Sequence, residues 1–191
     1  MKYLSLLAVM LFTVSCGMQS IPTALNQVDA DWAEVQNQYK RRADLVPNLV
    51  EVVKGYASHE KDTLVGVVEA RAKATQVNFT ADQLTEENMK KFQQAQGGLS
   101  SALSRLMVTV EKYPDLKANQ NFRDLQAQLE GTENRITVAR KRYIDAINNF
   151  NNLVTVPPTS WYNSIFLKHA KKPQFAVDNI QDAQNAPAVK F

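Results

Sequence analysis

The stretch RRADLVPNLVEVVKGYASHEK, from Arg41 to Lys61, puts a proline inside a helical pattern. Apolar and aromatic side chains fall at Leu25, Val28, Trp32, Val35, Tyr39, Val46, Leu49, Val53 and Tyr56. Their spacing alternates three and four, which is the seam of a narrow helix bundle. Arg42 takes the slot between Tyr39 and Val46. The seam keeps its register on both sides of Pro47, so the spacing predicts one helix over 24–57, kinked at Pro47. At 1.5 Å per residue it is roughly 50 Å long. Proline has no N–H, so the carbonyl of Ala43 loses its helical partner. The other reading is a new helix capped by Asp44, with Pro47 in its first turn, where the missing donor has no cost.

Three further helices follow from the same spacing. One covers about 60–75, with Leu64, Val67, Val68 and Ala74 inward, after a bend near Gly55 or Ser58-His59. The next covers about 81–112, capped by Thr80, with Leu84, Phe92, Ala95, Leu99, Leu103, Leu106 and Val110 inward. Gly97-Gly98 lies inside it and is read as a close approach to a neighbouring helix. The last runs from about 116 to 153, with Phe122, Leu125, Leu129, Ile136, Ala139, Tyr143, Ala146 and Phe150 as its seam and Pro157-Pro158 as its stop. No strand pattern is present. The expected fold is all-α, an antiparallel bundle of long helices.

The amino terminus reads as an address. Lys2 is followed by an apolar run from Tyr3 to Val14 and then Ser15-Cys16-Gly17. A membrane-spanning helix needs about 20 apolar residues, and this run is too short. It has the length of a signal-peptide core, so residues 1–15 are expected to be a signal peptide. Val14-Ser15-Cys16 resembles a bacterial lipobox, in which the cysteine carries a lipid and becomes the new first residue, although Thr13 stands where leucine is usual. Cys16 is the one cysteine, so a disulfide within the chain is excluded. Gly17 is not the aspartate that resembles an inner-membrane retention signal, which favours the outer membrane in a diderm host. Residues 16–23 would be a lipidated tether, and 24–191 the bundle with a packed C-terminal tail.

Charge and motif content point away from catalysis. The net charge is +3, with basic and acidic residues interspersed, so no basic face calls for nucleic acid. His59-Glu60 would need a histidine at position 63 to form a metallohydrolase helix, and Thr63 is there instead. The other histidine, His169, is remote in sequence. No Gly-x-Ser-x-Gly elbow or phosphate-cradling glycine loop occurs. Asp44, Glu51, Glu60, Glu69, Glu130 and Glu133 read as solvated or paired charges. No metal or cofactor is expected.

Arg42 needs a partner if it is buried. Asp44, Asn48, Glu69 and Glu133 are the candidates. Its role is either to fix the register of the bundle or to form a polar notch for a partner, together with Arg41, Asp44, Pro47, Asn48 and Glu51. Trp161, Tyr162, Ile165, Phe166 and Phe175 are mixed with Lys168, Lys171 and Lys172. That composition fits a tail packed over the bundle, the preferred reading, or a membrane interface.

RRADLVPNLVEVVKGYASHE, the run YPDLKANQNFRDLQAQLEGTENRI, ARKRY and the ending NAPAVKF together resemble the LemA family of bacterial envelope proteins. The resemblance covers about Trp32 to Phe191. It implies a helical bundle tethered to the membrane at its N-terminus and lying outside the cytoplasm. Relatives are associated with membrane remodelling and with envelope proteins, proteases among them. The expected function is a non-enzymatic envelope scaffold that acts by contact. The alternative is an accessory subunit of an envelope protease or remodelling machine. Partners are the membrane, an envelope protein, or a second copy of the chain.

Overall fold

The computed structural model describes residues 19–175. The signal segment, Cys16 and the NAPAVKF ending lie outside the described residues. Helix α1 is Ser20–Tyr56, α2 Lys61–Gln76, α3 Glu86–Val110, α4 Pro114–Ala118, α5 Gln120–Thr155 and α6 Thr159–Tyr162. A 3₁₀ turn, Ala81–Gln83, precedes α3, and a π-helical turn, Asn163–Leu167, follows α6. No strand occurs among the described residues, and none of their helices is long and apolar enough to cross a membrane.

Helix α1 runs unbroken through Pro47, as the continuous seam predicts. It also starts at Ser20, earlier than expected. Pro22 then falls in the first turn, where the absent N–H has no helical partner to lose, and Ile21 is fully buried. The predicted third helix is divided. Leu84 is extended and Thr85 caps α3 by accepting from the Asn88 amide at 3.1 Å, while Thr80 and Gln83 form a capping box around the 3₁₀ turn. The fourth is divided too. Pro114 starts the short α4, and Asn119 caps α5 by accepting from the Phe122 amide at 3.0 Å.

Helix α1 is the hub. It packs along α5 over most of its length and against α2 over its second half. Ile21 shares a core group with Phe150 and Val154, whereas Val46 to Val53 share another with Phe122 and Leu129, so α1 and α5 are antiparallel. Helix α3 runs parallel to α1, with Met89 and Phe92 in the first group and Leu99 to Val110 in the second. The first group is aromatic. Trp32 lies 5.1 Å from Phe92 and 5.2 Å from Tyr143, centroid to centroid, and its Nε1 donates to the Phe79 carbonyl at 2.7 Å. The second group is aliphatic apart from Phe122.

Three expected seam details fail. Tyr56 is 46 % exposed, because Ala57, one residue on, takes the inward place where α1 ends. Val68 is 50 % exposed, since the inward stripe of α2 holds Leu64, Val67 and Ala74 only. Gly97 and Gly98 are exposed, and a Cβ at either would meet nothing within 4 Å among the described residues. They are not a close-packing site.

The tail folds back along α5. Asn151 exchanges two hydrogen bonds with the Lys172 backbone, at 2.9 and 3.0 Å, and Gln174 donates to Asn148. Phe175 is buried 5.4 Å from the Tyr143 ring, with the Arg140 guanidinium 4.5 Å from its centroid. The other half of the segment does not pack: Trp161, Ile165 and Phe166 are each about two-thirds exposed.

Candidate functional site

A layer of polar groups separates the two core groups. Arg42 is 1 % exposed, in the seam slot its spacing assigns. Its Nη1 donates to Glu133 Oε1 and to Ser100 Oγ, both at 2.8 Å. Its Nη2 donates to Gln96 Oε1 at 2.8 Å and to the Gln96 carbonyl at 3.1 Å. Gln96 in turn donates to the Ala74 carbonyl at 3.1 Å, in the last turn of α2. One guanidinium thus ties α1 to α3 and α5, and Gln96 extends the tie to α2. The Arg42 carbon lies 5.0 Å from the Tyr39 ring centroid, which adds a cation–π contact. Burial raises the Tyr39 phenol above its usual range, against the opposing pull of Arg140 and Arg42.

Glu133, rather than Asp44, Asn48 or Glu69, is the carboxylate partner of Arg42. Gln96 and Ser100 were not singled out in the sequence. Their signal was available: Gln96 falls between Phe92 and Leu99 at helical spacing, on the stripe that faces α1.

Pro47 has its own compensation. Arg71 of α2 donates from Nε to the Ala43 carbonyl at 2.8 Å. That oxygen is the one a residue with an N–H at position 47 would have engaged. The rest of the candidate patch faces water. Arg41, Asp44, Pro47, Asn48 and Glu51 are all exposed, and Glu51 lies 3.7 Å from Lys54. They are separate from buried Arg42, which faces the opposite way.

Two clefts flank the layer. One, of about 390 Å³, lies between α1, the end of α2 and α3, with Lys40, Asp44, Asn78 and Gln96 among its lining. The other, of about 450 Å³, is a groove between α3 and α5 with Leu103, Met107 and Leu129 on its walls and Ser100 and Glu133 at one end. No grouping of three or more His, Cys, Asp or Glu suited to a metal occurs among the described residues. His59 is exposed, and His169 sits edge-on to Phe150 at 6.0 Å.

The LemA family profile matches residues 31–191, which takes in the polar layer, both clefts and the tail. The chain belongs to the LemA family. Among curated LemA-like relatives, Magnetosome protein MamQ 2 of Paramagnetospirillum magneticum is 26 % identical over 192 residues, covering 90 % of this chain and 70 % of the relative. Magnetosome protein MamQ of Magnetospirillum gryphiswaldense is 25 % identical over 178 residues, covering 83 % and 65 %. Protein LemA of Metamycoplasma hominis is 24 % identical over 150 residues, covering 75 % and 64 %. The LemA match begins inside α1, so the first turns of that helix lie before it.

Proposed function

We propose that this LemA-family protein is a non-enzymatic helical scaffold of the bacterial cell envelope, anchored by a lipid on Cys16 outside the cytoplasm, with the outer membrane favoured in a diderm host. The observation that carries this reading is the Arg42 layer. The one charged side chain buried in the described core spends its Nη1 and Nη2 donors on Glu133, Ser100 and Gln96, which builds a rod and leaves the polar chemistry of the surface free for contact. The stripe of Arg41, Asp44, Asn48 and Glu51 beside Pro47 is the proposed contact face. Relatives named for the magnetosome support a role tied to a specialised cell structure.

The second reading, an accessory subunit of an envelope protease or remodelling machine, is favoured by the apolar α3–α5 groove, which offers a shaped seat for a partner helix or strand. Photo-crosslinkers at Lys40, Glu51 and Lys54 are expected to capture a defined envelope protein or a second copy, with weaker capture from Ala127. Stronger capture from Met107 and Gln126 would move the contact face to the groove and support the second reading. Equal capture at every position would overturn the discrete-partner reading. A fatty-acid analogue is expected to label the wild type and not Cys16→Ser; equal labelling would end the lipid-anchor reading.

A further inference from the structure

The two ends of the bundle differ in chemistry. At one end α1 begins and α5 finishes, with Ile21 and Val154 in the same core group. Residues 19–28 carry no charge, and residues 146–175 carry Lys168, Lys171 and Lys172 with no Asp or Glu. At the opposite end both signs are mixed, with Glu60, Asp62, Glu111 and Asp115 beside Lys61, Lys112 and Lys117. The nearest acids on elements packed against the first end are Asp29 of α1, Asp145 of α5, and Asp82, Glu86 and Glu87 around the start of α3. Asp29 lies about 14 Å down α1 from Ser20 by helical rise, and Asp145 about 15 Å from the end of α5.

On this end stand Trp161, Ile165 and Phe166, 65 %, 66 % and 67 % exposed, with Val156 at 53 %. They are held outward by a built support. Asn163, 6 % exposed, donates to the carbonyls of His169 at 2.9 Å and Val154 at 3.4 Å, and accepts from the His169 amide at 2.9 Å. Lys168, at φ 55°, reverses the chain beside them. Phe166 also lies 5.0 Å from the Tyr162 ring. Three large apolar side chains on a fixed turn, flanked by lysines in a stretch, 146–175, that holds no acid, match the composition of an interfacial membrane contact.

The tether sets the distance. Cys16 precedes the first residue of α1 by four positions, so at full extension a lipid on its sulfur sits within about 14 Å of that turn. A bundle held that closely brings this end to the headgroup layer. We propose that Trp161, Ile165 and Phe166, with Lys168 and Lys171, form a membrane-interface surface that seats the anchored end of the bundle on an anionic phospholipid bilayer. The proposal rests on the anchored reading above and adds a second point of attachment, which fixes the angle of the rod to the membrane.

The chain has two tryptophans, and Trp32 is buried in the core, so they form an internal contrast. Full-length protein is reconstituted into phosphatidylethanolamine–phosphatidylglycerol vesicles with brominated acyl chains, and tryptophan emission is compared with that in unbrominated vesicles. Wild type and Trp32→Phe are expected to be quenched, and Trp161→Phe is not. The double charge reversal Lys168→Glu/Lys171→Glu is expected to reduce the quenching several-fold, and circular dichroism checks that each variant is folded. Protein that floats with the vesicles while Trp161 escapes quenching keeps the anchor and overturns this surface. Cys16→Ser protein that still shows Trp161 quenching supports the surface as an attachment in its own right. A dimer in which Trp161 is shielded from both lipid and water would assign the surface to a second copy and overturn the proposal.

Discussion

Arg71 Nε donates to the Ala43 carbonyl at 2.8 Å, across the gap that Pro47 leaves in the hydrogen-bond ladder of α1. The acceptor belongs to a residue that is 3 % exposed, so without Arg71 it would be a buried, unpaired oxygen. A proline that would ordinarily weaken a helix has become a docking point for its neighbour.

The two residues should therefore be coupled. Arg71→Ala is expected to cost about 1.5–3 kcal/mol in the natural background, the range for a hydrogen bond to a charged donor. In a Pro47→Ala background the helix supplies its own donor, and the same change should cost about 1 kcal/mol less. Urea denaturation of the four variants measures the difference; purely additive effects would remove the compensation argument.

The Arg42–Glu133 pair should respond asymmetrically. The Glu133 side chain is 50 % exposed and the Arg42 side chain 2 %. Removing Glu133 leaves a buried cation short of its counter-charge, whereas removing Arg42 leaves a carboxylate that can turn to water. Glu133→Ala is expected to cost about 2–3 kcal/mol, discounted from the fully buried case for solvent screening. Arg42→Met should cost about 1–2 kcal/mol, chiefly from the stranded Gln96 oxygen. The combination Arg42→Met/Gln96→Leu should recover only part of that loss, because the Ala74 carbonyl then loses its Gln96 donor. Denaturation midpoints in the reverse order would refute the assignment.

Gly97 and Gly98 stand in open space on α3. Each change to alanine is expected to stabilise the bundle by roughly 0.5–1 kcal/mol, because alanine is the better helix former and nothing obstructs its methyl group. A fall in melting temperature would show that the pair serves a contact made by another molecule or another state.

Burial raises the phenol of Tyr143 strongly, with Asp29 adding to the effect, and it raises Tyr39 as well. Below about pH 10 both phenols are neutral in the folded and the unfolded chain, and their contribution to stability is complete. Above that the unfolded chain gives up the protons while the folded chain keeps them, so stability falls as pH rises. The urea midpoint should fall progressively as pH rises above about 10. Tyr143→Phe should flatten that slope. It should also add about 1 kcal/mol at neutral pH, since the Tyr143 hydroxyl is buried with no hydrogen-bond partner among the described residues.

The long seams were legible because helical periodicity accumulates over many turns. Val28 to Val53 on α1 and Phe122 to Phe150 on α5 lie where the spacing puts them, and Arg42 was readable as the one charge in a seam slot. Errors gathered at helix ends and on the shorter α2, where few turns constrain the phase and a neighbour decides which residue faces in. Tyr56 and Val68 are of this kind. Arg71 was invisible for another reason. Its partner, the carbonyl of Ala43, is a backbone group that looks alike at every position of a sequence. The division at Leu84-Thr85 was hidden because two adjacent threonine caps, Thr80 and Thr85, compete for one helix start.

The polar layer also bears on how the helices resist sliding past one another. Sliding α1 by one turn would carry the guanidinium about 5.4 Å from Gln96 and Glu133 and press it into an aromatic or an aliphatic core. Slippage is therefore blocked at mid-height, while the core on each side can loosen separately. Native-state hydrogen exchange should show two blocks of amides with different opening free energies, meeting near residues 42, 96 and 133. A bundle of this design can soften at one end without changing its length.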